Sequence, residues 1–256
     1  MVHTASVRIA QITDTHLFAD EDGVSNGFQT ARSLQAVLEG VAALSPRPDV
    51  LLLTGDLSQD ETLESYYQLV ARIAPLGIPA YWLPGNHDQY PALMEQVLCT
   101  PPFSTQKCFQ QGGWNIVLLN SMLPNLVYGE LSPETLAWLE QQLQSALSLP
   151  TLVALHHPPL ATGSAWMDTI GLQNREAFFA VLDRYPQVKL VLFGHIHQDF
   201  DERRGLVRYL GTPSTCVQFV PKGDRFAIDG DRQPGFRLLT LHEDGSYETQ
   251  VIRLSD

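Results

Sequence analysis

Residues 49–56 read DVLLLTGD, an apolar run that stops abruptly at Gly55 and Asp56. Such a run is typical of a buried strand in a parallel sheet. Similar runs stand at 7–13 (VRIAQIT) and 79–83 (PAYWL), and segments with helical spacing lie between them at 30–44 and 61–74. Alternation of strand and helix predicts βαβ units and a mostly parallel sheet.

The second half of the chain repeats this alternation, and after about residue 205 only short strands and turns are predicted. Ser132 and Pro133 open a predicted helix that runs to about 147, as N-cap and first helical residue. The remaining predictions are strands at 107–111, 114–121, 151–156 and 188–194, a helix at 174–184, and short strands at 206–210, 215–220, 235–241 and 247–252. We expect a single α/β domain over 1–256, with a β-rich completion at about 205–253.

Composition argues against nucleic-acid-binding, disulfide-stabilised and membrane-spanning proteins. The formal charge of -12 argues against a surface that neutralises nucleic-acid phosphates. The three cysteines show no CxxC spacing, which disfavours a thiolate zinc site or a disulfide framework. The N-terminus lacks the features of a signal peptide, and no apolar run has the length of a membrane span. We therefore expect a soluble, cytoplasmic protein.

Polar motifs follow five of the apolar runs directly. Loops at the carboxyl ends of parallel strands converge on the ligand site of an open α/β sheet, so these motifs could meet in one cleft. Each motif alone is common, whereas the ordered series is a strong signal. The motifs are Asp14-Thr15-His16, Gly55-Asp56, Gly85-Asn86-His87-Asp88, His156-His157-Pro158 and Gly194-His195-Ile196-His197.

The candidate donors in these motifs are carboxylates, imidazoles and one amide, without a thiolate. This set suits divalent ions such as Mn, Fe or Zn. Seven donors are too many for one catalytic ion that keeps an open position, but they suit two ions that share a bridging carboxylate. The predicted metal ligands are Asp14, His16, Asp56, Asn86, His156, His195 and His197.

The series D-x-H, G-D, G-N-H-D, H and G-H-x-H resembles the calcineurin-like metallophosphoesterase superfamily over about residues 8–197. Within it, the segments QITDTHLF, LPGNHD, GHIHQ and GTPSTCVQF resemble the bacterial class III cyclic-nucleotide phosphodiesterases that hydrolyse 3',5'-cyclic AMP, which extends the likeness to about residue 253. The resemblance implies a metallophosphoesterase fold: two packed mixed β-sheets flanked by helices, an αββα sandwich.

The resemblance also implies a role for each site residue. Asp56 would bridge two metals, most readily Fe or Mn, with Zn also accepted. His87 would contact the phosphoryl group and act in catalysis. One metal would be held by Asp14, His16, Asp56 and His197, the other by Asp56, Asn86, His156 and His195, and the substrate would contact His16, Asp56, Asn86, His87 and His197.

The expected reaction is hydrolysis of 3',5'-cyclic AMP to 5'-AMP by a metal-bridging hydroxide. The metals and Asn86 would offset phosphoryl charge, while His87 would hydrogen-bond to the phosphoryl group or protonate the departing alkoxide. Glycerophosphodiesters or other small phosphodiesters are the alternative substrates. A metal-free scaffold is disfavoured because no ligand position is broken, and a nuclease is disfavoured by the acidic charge.

Several positions keep two interpretations. Adjacent strand residues point to opposite faces, so only one of His156 and His157 should bind metal. The resemblance to the superfamily favours His156, and we expect a structural or supporting role for His157. Asp60 and Asp88 either orient a histidine or cap local structure. The segment Trp166-Met167-Asp168 lines the pocket or packs on the surface, and the segment 211–216 forms a tight turn or part of the substrate wall. The sequence carries no signal for an oligomeric state.

Overall fold

The computed structural model describes residues 6–88 and 91–255. Its strands are, in chain order, β1 (Ser6–Ile12), β2 (Val24–Ser25), β3 (Phe28–Gln29), β4 (Val50–Thr54), β5 (Ala80–Leu83), β6 (Phe103–Ser104), β7 (Cys108–Gln111), β8 (Trp114–Leu118), β9 (Thr151–Ala154), β10 (Val188–Phe193), β11 (Phe200–Arg204), β12 (Val207–Gly211), β13 (Gly235–His242) and β14 (Tyr247–Arg253). Its α-helices are α1 (Thr30–Ala42), α2 (Leu63–Ile73), α3 (Pro91–Val97), α4 (Pro133–Ser145), α5 (Ala165–Asp168) and α6 (Arg175–Leu182), and a 3₁₀ turn follows α2 at Ala74–Leu76.

Two six-stranded mixed sheets form the centre of the fold, which confirms the predicted class. The first has the order β14-β13-β1-β4-β5-β6, with β1, β4, β5 and β6 parallel and β13 antiparallel to both of its neighbours. The second has the order β11-β12-β10-β9-β8-β7, with antiparallel strands at both edges. Strands β12 and β13 thus place the segment after residue 205 in both sheets.

Alternation along the strands explains the layering. In β4, Leu52 packs between the two sheets, whereas Leu51 and Leu53 pack beneath the helices on the other face. In β10, Leu192 likewise lies between the sheets and Val191 on the helix side. Side chains of a strand alternate between its faces, so strands that are apolar throughout must be covered on both. The result is helix, sheet, sheet, helix.

The helices bury the faces that their sequence periods predict. Leu34, Val37, Leu38 and Val41 are the buried stripe of α1. Helix α4 begins as expected, with the Ser132 hydroxyl accepting a hydrogen bond from the Thr135 amide and Pro133 in the first turn. The strands end at Leu118, Ala154 and Phe193, earlier than predicted, so the polar motifs lie on the loops that follow.

The predicted strand at 215–220 is wrong. Apart from one bridge between Phe219 and Ile228, this segment has no strand pairing. Its polar groups are satisfied locally, because the Cys216 amide donates to the Ser214 hydroxyl and the Gln218 side chain donates to the Ser214 carbonyl. No sequence pattern predicted β6, α3 or β11. Strand β11 was missed because it is a largely exposed edge strand without an apolar pattern.

Candidate metal centre

The polar motifs leave their strands through an unusual backbone conformation. Positive φ angles between 46° and 67° occur at Asp14, His16, Asp56, His195 and His197, which are five of the seven predicted ligands. Left-handed backbone is uncommon for residues with a Cβ and concentrates at functional sites, where the surrounding structure imposes it. In the first loop these positive φ angles bring the alternate residues Asp14 and His16 into one cluster with His197.

Gly85 is required by this crowding. A Cβ atom at residue 85 would collide with the carboxylate and the backbone nitrogen of Asp56. The glycine of the GNHD motif therefore lets the loop after β5 approach the loop after β4 closely. This approach lets the His87 amide donate to Asp56 Oδ1 at 2.8 Å and places Asn86 Oδ1 3.2 Å from His156 Nε2.

One group of donors surrounds the Asp14 carboxylate. The Nε2 atom of His197 lies 3.3 Å from Asp14 Oδ1 and 3.2 Å from Nε2 of His16. The carbonyl oxygen of Val217, 2.7 Å from His197 Nδ1, can only accept a hydrogen bond. His197 therefore carries its proton on Nδ1, and its Nε2 lone pair faces the group.

A second group of donors surrounds His156. The Nε2 atom of His156 lies 3.3 Å from Asp56 Oδ2, 3.2 Å from Asn86 Oδ1 and 3.2 Å from His195 Nδ1. His156 Nδ1 donates to the Thr54 carbonyl at 2.8 Å, which again directs Nε2 inward. Asp56 Oδ2 is also 3.8 Å from His16 Nε2, so its carboxylate borders both groups.

The charges favour binding of a cation. Burial alone would raise the pKa values of Asp14 and Asp56, but His197 and His156 respectively outweigh it and hold both pKa values below the ordinary range. Burial lowers the pKa of His16 to about 3 and that of His195 well below its usual value. Burial opposes protonation of His156 as well, yet Asp56 raises its pKa to about 9. Ionised Asp14 and Asp56 thus lie beside the neutral imidazoles of His16 and His195, and the charge of Asp56 favours a positive charge at His156 while no metal is bound.

The arrangement fits a bound metal. Imidazole nitrogens approach each other at 3.2 Å in two places, between His16 and His197 and between His156 and His195, so each pair could direct two nitrogens at one cation. Donor atoms of Asp14, His16 and His197 lie within 4.8 Å of one another, as do those of Asp14, Asp56 and His156. The donor set is the one that divalent transition metals accept.

His87 stands at the edge of this cluster. Its backbone amide donates to Asp56 Oδ1 at 2.8 Å, while its half-buried ring packs edge-on against the ring of His16 at 5.0 Å. The ring borders the cleft above the donors, with Gln59 Nε2 3.4 Å from its Nδ1. The backbone of residue 87 therefore orients Asp56, and its side chain faces the space where a substrate would lie.

His157 has both ring nitrogens engaged away from the cluster. Nε2 faces the Val127 carbonyl at 3.1 Å, so it donates, and Nδ1 accepts from the Ser121 hydroxyl at 2.8 Å. One nitrogen of His157 lies within 4.8 Å of donors of His156 and His195, but neither of its nitrogens has a free lone pair for a metal in this tautomer. His157 joins the loop 121–127 to the loop after β9.

The two aspartates considered as partners of a histidine do not contact one. Asp88 accepts hydrogen bonds from the amides of Leu57, Ser58 and Gly85 and from the Tyr66 hydroxyl. It therefore ties the loop after β4 to the loop after β5. Asp60 accepts from the Ala19 amide and the Thr62 hydroxyl, and Thr62 is the residue that caps α2.

The cleft above the donors has a volume of about 250 Å³. Trp166 and Met167 line it, whereas Asp168 turns away to the backbone of Thr162 and Gly163. The segment 211–216 is buried behind the site, where the Ser214 hydroxyl donates to the Asp14 carbonyl at 2.7 Å, and does not line the cleft.

Sequence reasoning missed several lining residues outside the motifs. They are Ser25, Asn26, Gln59, Val127, Ile170, Val217, Phe219 and Phe226. Phe219 is the last residue of the GTPSTCVQF segment and Phe226 lies seven residues beyond it, and this position was the one available signal.

Comparison with known proteins agrees with this geometry. Residues 7–199 match the calcineurin-like phosphoesterase family. This chain belongs to that family. It is 51% identical over 248 residues, 97% of this chain and 92% of the relative, to a 3',5'-cyclic-nucleotide phosphodiesterase of Nostoc sp.. It is 42% identical over 252 residues, 98% and 91%, to the 3',5'-cyclic adenosine monophosphate phosphodiesterase CpdA of Escherichia coli.

Solved structures support the fold alone. A dimetal phosphatase from Danio rerio superposes with a TM-score of 0.65 at 14% identity, covering 98% of this phosphoesterase chain and 100% of its own. Family membership and the clustered histidines and aspartates together support binding of divalent metal. Within residues 6–88 and 91–255, no helix combines the length and apolar character needed to cross a membrane.

Proposed function

We propose that this phosphoesterase is a metal-dependent phosphodiesterase that hydrolyses 3',5'-cyclic AMP to 5'-AMP. The observation that carries the proposal is the Asp56 carboxylate, which borders two groups of imidazole donors beneath one cleft. Relatives that are 42–51% identical over nearly the whole chain are named cyclic-nucleotide phosphodiesterases, and this supports the substrate class.

The site would hold two metal ions with Asp56 between them. The first set of ligands is Asp14, His16, Asp56 and His197, and the second is Asp56, Asn86, His156 and His195. The mixed oxygen and nitrogen donors fit Fe or Mn, and Zn is also compatible. When bound, such ions lower the pKa of coordinated water toward neutrality and offset phosphoryl charge.

The protein groups around the metals would perform the remaining tasks. Asn86 presents its amide to the cleft and is placed to contact a nonbridging phosphoryl oxygen. Opening of the cyclic diester to 5'-AMP breaks the bond between phosphorus and the 3'-oxygen, and the departing 3'-oxygen gains a proton. His87, whose ring borders the cleft, is the side chain placed to donate that proton or to hydrogen-bond to the phosphoryl group.

The protein would act in a reducing compartment such as the cytoplasm. The three cysteines are free: Cys99 is exposed, Cys108 is half-buried and Cys216 is buried. Disulfides persist in oxidising compartments and are rare in the cytosol, so free thiols support this placement.

A substrate panel tests the function. Purified enzyme reconstituted with Mn or Fe would be given cyclic AMP, cyclic GMP and glycerophosphoethanolamine, and kcat/KM would be measured for each. The expected result is the highest kcat/KM with cyclic AMP and 5'-AMP as the product. Hydrolysis of glycerophosphoethanolamine alone would overturn the cyclic-nucleotide assignment, and inactivity on all three with both metals would overturn the enzyme assignment.

A further inference from the structure

One wall of the cleft consists of three aromatic rings in mutual contact. The centroids of Trp166 and Phe219 are 5.5 Å apart, those of Trp166 and Phe226 are 5.3 Å apart, and those of Phe219 and Phe226 are 5.1 Å apart. Interplanar angles of 69° to 86° make all three contacts edge-to-face. We call these three residues the aromatic wall.

The aromatic wall begins directly at the metal cluster. The ring of Phe219 is stacked on the imidazole of His197, with centroids 4.0 Å apart and planes 9° from parallel. At the edge of the same imidazole, Nδ1 donates to the Val217 carbonyl. A substrate whose phosphate reached the donors around His197 would therefore have its organic portion beside this wall.

The outer ring of the wall is carried by a short hairpin. The Val220 amide donates to the Ala227 carbonyl and the Asp229 amide donates to the Gln218 carbonyl, each at 2.9 Å. This pairing turns Phe226 back onto Phe219. Half of the Phe226 side chain remains exposed, although large aromatic groups are usually buried when they serve packing alone.

The lining of the cleft also restricts what binds there. Among the described residues, the lining contains neither lysine nor arginine, and the side beyond the metal cluster includes Val127, Met167 and Ile170. A charged headgroup such as a glycerophosphoethanolamine amine would meet no carboxylate outside the metal donors in this lining. A flat, uncharged ring system fits it, because bases stack on aromatic faces irrespective of their hydrogen-bonding edges.

We propose that the aromatic wall is the subsite for the nucleobase of the substrate and that Phe226 is the ring on which the base stacks. Phe219 has one face occupied by His197, whereas Phe226 is the half-exposed member of the three. This inference rests on the proposed cyclic-nucleotide phosphodiesterase activity. It makes Phe226 a specificity residue that contributes to substrate binding and takes no part in bond breaking.

The test compares two substrates that differ only in the base: cyclic AMP and the 3,5-cyclic phosphate of methyl riboside, which has no base. The variants are Phe226→Leu, which keeps an apolar side chain without a ring, and Phe226→Tyr, which keeps the ring. Leu147→Ala is the control, because Leu147 is 55% exposed and lies outside the cleft lining, against 50% exposure for Phe226.

For Phe226→Leu, KM for cyclic AMP should rise by roughly tenfold with kcat nearly unchanged, as expected for loss of one stacked base. Neither constant should change for the abasic substrate, and Phe226→Tyr and Leu147→Ala should behave like the wild type. Equal effects on both substrates, or none on cyclic AMP, would overturn the base subsite while the phosphodiesterase assignment stands. A wild-type enzyme that cleaves neither cyclic phosphate would overturn the phosphodiesterase assignment and, with it, this subsite.

Discussion

The Oδ2 atom of Asp56 lies 3.3 Å from Nε2 of His156, and both side chains are buried. The same oxygen is 3.8 Å from Nε2 of His16. One carboxylate thus faces imidazoles that come from different sheets, since His16 follows β1 and His156 follows β9. The position of Asp56 couples the two halves of the sandwich to a single site.

Replacing Asp56 by Asn should remove the shared ligand. The amide keeps the shape of the side chain but loses its charge, so we expect metal content to fall from two ions to one or fewer. The kcat for cyclic AMP should fall by more than about 100-fold, because even outer-shell partners of metal ligands contribute about 10–100-fold. Metal analysis and steady-state kinetics measure both, and Asp60→Asn is the control because Asp60 contacts only residues outside the donor set. Full metal content in Asp56→Asn would contradict the assignment.

His157→Ala should lower stability without removing metal. The substitution leaves the Ser121 hydroxyl and the Val127 carbonyl without their partner, which costs about 2–4 kcal/mol in the free energy of unfolding. Urea unfolding measures this cost, and metal analysis of the folded variant should still give the wild-type stoichiometry. His156→Ala provides the comparison, and it should lose metal. Loss of metal from a well-folded His157→Ala protein would instead make His157 a ligand.

His87→Ala should separate catalysis from metal binding. The contact with Asp56 uses the backbone amide of residue 87 and survives the substitution, so both metals should remain. We expect kcat to fall by about 10²–10⁴-fold, the usual contribution of a general acid or base. Gln59→Ala is a nearby control that removes a neighbour of the ring but leaves the imidazole in place. Unchanged turnover in His87→Ala would remove His87 from the catalytic step.

The clustering of the candidate donors could be predicted because it depends on local rules. Asp14, Asp56 and His195 each stand after an apolar run, and the carboxyl ends of parallel strands meet at one edge. Strand alternation limited the pair His156 and His157 to one ligand, although β9 ends at Ala154 before both residues, and the choice of His156 came from the family resemblance. The outward turn of His157 arises from Ser121 and Val127, which are distant in sequence.

Most residues of the cleft walls could not be predicted from the sequence, because tertiary structure brings them together. Phe219 and Phe226 lie on a hairpin that shows no helical or strand period over its length, and their contact with Trp166 joins segments about 50–60 residues apart. The segment 215–220 has the composition of a strand, but hydrogen bonds within 214–218 override that preference. Asp88 accepts hydrogen bonds from backbone amides of a separate loop, and no sequence pattern predicts this contact.

Lys107, which does not line the cleft above the metal donors, should make the free energy of unfolding depend on pH. Its Nζ donates to the Trp82 carbonyl at 2.7 Å and lies over the indole ring, and burial lowers the pKa of the amine from 10.5 to about 7. Between pH 7 and about 10 the folded protein holds a neutral amine while the unfolded chain is protonated. Unfolding therefore takes up a proton, and raising the pH through this window should increase the contribution of Lys107 to stability.

Lys107→Met isolates this effect, because it keeps a flexible apolar stem and removes the titrating group. The free energy of unfolding of each protein would be measured by urea denaturation at pH 7, 8 and 9. The difference between wild type and Lys107→Met should shift steadily in favour of the wild type as the pH rises, while titrations common to both proteins cancel. A difference that is constant, or that shifts toward the variant, would mean that the ammonium stays protonated in the fold because the Trp82 carbonyl and ring compensate for its burial.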